Sequence, residues 1–224
     1  MINTENFQYL LFDLDGTLTD SAPGILGCVK YALTELSLPL PPENVLFEFI
    51  GPPLMDAFSK YCGLDEKTAK SAVEKYRERY STIGLFENRV YDGVPEMLSS
   101  LSAAGKTLIL ATSKPKVFAD RILEKFDLKK YFYETVGATF DGKINYKDEV
   151  IKAALKRCNI EDRSKAIMIG DRHHDIDAAK KLRLKTLGVL YGFSKPEELR
   201  NCGADMLAAT PKEVVKLLLP EPES

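Results

Sequence analysis

The chain of 224 residues has no tryptophan, only two histidines (His173 and His174) and four cysteines set far apart. Cys28, Cys62, Cys158 and Cys202 form no C-x-x-C pair, so the clustered thiolate and imidazole ligands of a zinc site are missing. Scattered thiols of this kind fit a reducing compartment, and a cytoplasmic location is expected. No apolar run reaches the roughly 18 residues a membrane helix needs, and residues 1–9 lack the regions of a secretory signal. A basic surplus is also lacking. With 31 basic against 33 acidic side chains and a net charge of -2, the chain is not expected to bind nucleic acid generally. No G-x-G-x-x-G or G-x-x-x-x-G-K-[ST] follows an apolar run, which disfavours a nucleotide cofactor. Internal repeats are absent too.

The 45% hydrophobic and 29% charged composition is that of an ordinary globular protein. Short runs apolar on both faces, Tyr9–Phe12, Thr107–Ala111, Thr135–Ala138, Ala166–Ile169 and Thr186–Leu190, read as buried parallel strands. Helical patterns at Pro95–Ser102, Pro115–Phe126, Lys147–Cys158 and Ile176–Leu182 are long enough for crossovers. Ser194 with Glu197 and Thr210 with Glu213 predict capping boxes, Pro211 suits a first turn, and Gly105 suits a left-handed cap. The expected fold class is α/β, a doubly wound parallel sheet of five strands. From about Ser21 to Leu85 the rhythm breaks into helical periodicity, for example Ile25, Val29, Ala32, Leu33 and Leu36. A helical module is therefore expected after the first strand, over residues 20–85, with the core formed by residues 1–19 and 86–224.

The chemistry signal is a set of carboxylates at strand ends. Asp13 follows the first apolar run, at the edge where open parallel sheets bind ligands, and Asp15 points the same way two residues on. Asp15-Gly16 alone is a turn signal, which leaves Asp13 unexplained. A second cluster follows the fourth run: Gly170-Asp171-Arg172-His173-His174-Asp175. Asp175 can also be read as a helix cap. Carboxylates from two strand ends describe an oxygen-only site for a hard cation such as Mg²⁺. Thr112 and Ser113 close the second run and bring hydroxyls to the same edge, and Lys147 opens a helix there as a candidate phosphate ligand. Lys114 and Lys143 compete for the lysine role. Arg172, His173 and His174 are expected on a solvated rim, with contact to a substrate as the alternative.

The ordered set Asp13-Leu14-Asp15-Gly16-Thr17, Thr112, Lys147 and Gly170-Asp171-x-x-x-Asp175 resembles the haloacid dehalogenase superfamily of phosphohydrolases. The inserted helices resemble its C1-type cap, and the layout is similar to the phosphoglycolate-phosphatase-like branch. The resemblance implies the strand order 5-4-1-2-3 and a cap that closes over the site. It implies hydrolysis of a small phosphate monoester, with Asp13 as nucleophile and Asp15 as acid and base. Thr112, Ser113 and Lys147 would hold the phosphate. Mg²⁺ would be held by Asp13, the backbone carbonyl of Asp15, Asp171 and Asp175. The turn at Gly51 and Pro52 resembles the family's specificity loop and reads equally well as a rigid helix-to-helix turn. Lys60, Arg77 and Arg79 on the helical module are candidates for a substrate carboxylate or are simply solvated. A sugar phosphomutase, a nucleotidase-type phosphatase and a non-catalytic binding module are the alternatives. The expected partner is a small phosphorylated metabolite, with monomer and homodimer both open.

Overall fold

A computed structural model describes residues 6–219; the ends of the expected core segments, residues 1–5 and 220–224, lie outside it. The elements follow as β1 (Tyr9–Phe12), β2 (Thr19–Asp20), α1 (Ala22–Glu35), α2 (Glu43–Leu46), α3 (Leu54–Cys62) and α4 (Glu66–Tyr80). Next come β3 (Arg89–Val90), α5 (Val94–Ala103), β4 (Thr107–Pro115), α6 (Lys116–Lys125), β5 (Phe132–Ala138) and α7 (Lys147–Arg157). The last are β6 (Ala166–Gly170), α8 (His173–Lys181), β7 (Lys185–Val189), α9 (Pro196–Asn201), β8 (Met206–Ala208) and α10 (Pro211–Leu218). Two compact units result: one runs to Leu18 and resumes at Val90, the other is Thr19–Arg89.

The first unit is built on a parallel sheet in the order β5-β4-β1-β6-β7-β8. Five of these strands are the apolar runs, in the spatial order that the family resemblance implies. The sixth, β8, extends the edge through Leu187↔Met206, Gly188↔Leu207 and Val189↔Ala208. At three residues it is shorter than the runs by which strands are recognised in a sequence. β1 is central, with Leu11 opposite Ile109 on one side and Met168 on the other. Those three side chains pack with Val150, Ile151, Ala154 and Leu155 of α7 and Ala178 and Ala179 of α8. Leu10, Phe12, Leu108 and Leu110 alternate with them and are as fully buried, so both faces of the sheet are covered.

Local signals set most helix ends. Thr210 caps α10 by accepting the Glu213 N–H at 3.2 Å, and Pro211 occupies the first position. Gly105 follows α5 at φ +77°. The expected cap at Ser194 is displaced: α9 starts at Pro196 with Lys195 as its cap residue, because proline favours the first helical position. α8 starts at His173, three residues before its apolar pattern becomes visible at Ile176.

In the second unit, α1 buries Ile25, Val29, Ala32 and Leu33 and packs against α4, which buries Ala69, Ala72, Val73, Tyr76 and Tyr80. The Arg79 guanidinium grips Glu87 through two hydrogen bonds of 2.7 and 2.8 Å and donates to Cys28 Sγ at 3.3 Å. Arg79 is thus committed within this unit, whereas Lys60 is exposed and Arg77 half-buried. Gly51 sits at φ +114°, which a Cβ would strain, and Pro52 and Pro53 lead from it into α3. Among the described residues, no helix is long and apolar enough to cross a membrane.

Candidate active site

Asp13 continues the β1 ladder past Phe12, its N–H donating to Ile169 O at 3.0 Å, and its side chain emerges at the carboxyl edge of the sheet. One strand over, β6 ends at Gly170 and delivers Asp171, which is fully buried. Thr17 Oγ1 donates to Asp171 Oδ1 at 3.2 Å, and the Phe193 N–H donates to Oδ2 at 2.8 Å. Asp171 is thereby fixed from the turn after β1 and from the loop after β7. Asp175, in the first turn of α8, caps the helix with one oxygen and turns the other toward the site. Its Oδ2 accepts the Arg172 N–H at 3.1 Å, and its Oδ1 faces Lys147 Nζ at 2.8 Å. Asp13, Asp171 and Asp175 each bring one oxygen to within 4.8 Å of the others.

Backbone without side chains makes this convergence feasible. Gly16 leaves the strand at φ +80°, and a Cβ there would lie 2.2 Å from Asp171 Oδ2. A Cβ on Gly170 would lie 2.2 Å from Asp175 Cγ.

Two lysines enter the site from different elements. Lys147, the first residue of α7 and 7% exposed, lies 2.7 Å from Asp13 Oδ1 and donates to Ala111 O at 3.1 Å. Lys114, near the end of β4, lies 2.9 Å from Asp15 Oδ2. Lys143 is exposed, pairs with Asp141 at 2.9 Å, and stands apart from both. The Asp15 side chain is not among the three clustered carboxylates. Thr112 is buried, with its Oγ1 accepting the Lys114 N–H at 3.2 Å, and Ser113 beside it is half-buried.

Four carboxylates meet two ammonium groups here, so negative charge is in excess. Burial, reinforced by Asp175, holds Asp171 well above the usual carboxylate range. Burial also raises Asp175, to about 6, although Lys147 pulls it down. For Lys147, burial works against the charge, but Asp13 and Asp175 outweigh it and keep its pKa above the ordinary lysine value. An all-oxygen, over-negative, rigidly held donor set fits a hard divalent cation. The three clustered carboxylates are the residues that would hold it.

Arg172 departs from the solvated rim expected of the Arg172-His173-His174 segment, whose two histidines are partly exposed. Arg172 is 7% exposed, and one oxygen, Glu198 Oε1, accepts from Arg172 Nε at 3.0 Å and His173 N at 3.0 Å and faces His173 Nδ1 at 2.8 Å. Burial, with His173 and Arg172 beside it, pushes His174 down to about 4. Glu198, Thr17 and the Phe193 amide were not singled out from the sequence. Thr17 lies inside the first motif, but the Phe193 amide acts from the loop after β7 and Glu198 from α9, and neither carries a local pattern. Glu198→Ala removes an acceptor that three donors share and is expected to cost about 1–3 kcal/mol, read as a shift of the urea midpoint. A midpoint equal to wild type contradicts the bracing role.

Residues 10–189 match the family of haloacid dehalogenase-like hydrolases. The chain is 44% identical over 194 residues to a 5'-nucleotidase of Pseudomonas aeruginosa, covering 87% of each. It is 36% identical over 194 residues to the tyrosine-protein kinase PtkA of Mycobacterium tuberculosis, covering 86% of this chain and 65% of that protein. A crystal structure of a predicted phosphatase from Clostridium acetobutylicum superposes with a TM-score of 0.90 at 46% identity, covering 94% of this chain and 97% of that one.

Proposed function

Because the chain belongs to the haloacid dehalogenase-like hydrolases, we propose that it is a phosphatase that cleaves small phosphate monoesters through an aspartyl-phosphate. The observation that carries this reading is the buried Asp13, bridged to Asp175 by Lys147 beside Asp171 and followed two residues later by Asp15. Asp13 attacks phosphorus in line. Asp15 protonates the departing alkoxide, then deprotonates the water that releases inorganic phosphate. The hydroxyls of Thr112 and Ser113 and the Lys147 ammonium hold the non-bridging oxygens as their charge shifts. Mg²⁺, held by Asp13, Asp171, Asp175 and the backbone carbonyl of Asp15, would offset repulsion between the anionic nucleophile and the anionic ester.

Organic selectivity is assigned to the helical unit, with the turn at Gly51 and Pro52 as its carrier. We rank nucleoside 5'-monophosphates first among substrates on the strength of the 44% identical relative named a 5'-nucleotidase, with phosphoglycolate and sugar phosphates next. A cytoplasmic location accords with four free cysteines. The relative named as a kinase favours one second reading: transfer of the phosphoryl group to an organic acceptor, as in a sugar phosphomutase. Interconversion of hexose phosphates without phosphate release would establish that instead.

The test is turnover of p-nitrophenyl phosphate by the purified chain. Hydrolysis is expected with Mg²⁺, lost on chelation and regained on adding Mg²⁺ back. No hydrolysis, or hydrolysis indifferent to chelation, overturns the reading.

A further inference from the structure

A carboxyl group that gives and then takes a proton works best when one oxygen is held and the other faces the reacting atoms. In Asp15 the held oxygen is Oδ2, 2.9 Å from Lys114 Nζ, with the two side chains 13% and 5% exposed. Oδ1 is buried and has no hydrogen-bond partner among the described residues. Lys147 does not share this duty, since its ammonium is divided among Asp13, Asp175 and Ala111 O.

Lys114 owes its position to an irregularity in the sheet. β4 and β5 pair through Thr112↔Gly137, and the next pair is Pro115↔Ala138. Ser113 and Lys114 are therefore extra residues on β4, a bulge of the kind that bends a strand and re-aims its side chains. Thr112 Oγ1 accepts the Lys114 N–H, giving it the partner that the interrupted ladder does not. Gly137 makes room for the bulge: a Cβ there would lie 2.5 Å from Lys114 O and 2.7 Å from Lys116 N.

We propose that Lys114 is the positioning residue of Asp15, held over it by this bulge and fixing Oδ2 so that Oδ1 exchanges the proton. The proposal rests on the acid–base reading of Asp15 given above. In the first half-reaction the bond from Asp13 to phosphorus forms and the ester P–O bond breaks, while the proton on Asp15 Oδ1 passes to the alkoxide. In the second, water oxygen displaces Asp13 from phosphorus and a water proton returns to Oδ1.

The experiment compares kcat and KM on p-nitrophenyl phosphate, whose leaving group needs no proton, with those on a nucleoside 5'-monophosphate, whose leaving group does. In Lys114→Met, kcat on the nucleotide is expected to fall about 10- to 100-fold further than on the aryl ester, with each KM within about threefold of wild type. Lys114→Arg, which keeps the charge and a donor, recovers most of the loss. Gly137→Ala, which disturbs the bulge and keeps the lysine, shows the same selectivity in weaker form and serves if Lys114→Met does not fold. Asp15→Asn is the control. If it is selective for the nucleotide while the Lys114 and Gly137 variants lose both activities equally, the positioning role is wrong. A raised KM with kcat kept would assign Lys114 to phosphate binding and overturn it as well. An unselective Asp15→Asn removes the acid role of Asp15, and the proposal falls with it.

Discussion

Asp13→Asn is expected to abolish hydrolysis of every phosphate ester while leaving the fold intact. Asparagine keeps the shape and an oxygen acceptor for Lys147, but the amide oxygen is too weak a nucleophile to form the covalent intermediate. Loss of a nucleophile from a concerted set costs on the order of 10⁴-fold or more in kcat. No phosphoenzyme should be recovered after acid quench. Stability should hold, because the change removes one charge from three carboxylates whose oxygens lie within 4.8 Å of one another. Unfolding at or slightly above the wild-type temperature, together with zero turnover, is the expected pair of results. Substantial turnover by a correctly folded Asp13→Asn protein would eliminate the nucleophile assignment.

The opposite balance is expected for Lys147→Met. The ammonium is 2.7 Å from Asp13 and 2.8 Å from Asp175, with its side chain 6% exposed, so removing it leaves buried carboxylates facing one another. Breaking a buried ion pair on one side costs about 3–5 kcal/mol. For a protein of this size, that corresponds to a fall in Tm of roughly 6–20 °C. Proton uptake by Asp175 would soften the loss, as would divalent cations binding the same carboxylates. Thermal unfolding with and without Mg²⁺ therefore reads both effects, and the cation should raise the variant's Tm more than the wild type's. A metal-free variant that unfolds at the wild-type temperature would show that Lys147 does not hold the cluster together.

The parts of the fold that were legible in the sequence are those governed by local rules. Five buried strands announced themselves as short runs apolar on both faces, and α1 by the three- and four-residue spacing of Ile25, Val29, Ala32 and Leu33. Thr210 and Pro211 marked the start of α10 because cap chemistry is confined to adjacent residues. β8 escaped for the converse reason, since its three residues pair only because β7 is already in place. In the site, Asp13, Asp171 and Asp175 could be read from their positions after apolar runs. The division of labour between Lys114 and Lys147 could not, because it depends on a bulge and on which carboxylate each ammonium reaches. Glu198 was invisible on the same grounds: its partners are 25 and 26 positions away.

Gly16 and Gly170 give the site a boundary that no functional group defines. Where each lacks a side chain, a carboxylate of the cluster fills the volume, to within 2.2 Å of the missing atom. Transplanting the four aspartates and two lysines onto another parallel sheet would therefore not reproduce the centre unless the recipient backbone were bare at the two matching points. The negative image is as much a part of the recipe as the charges.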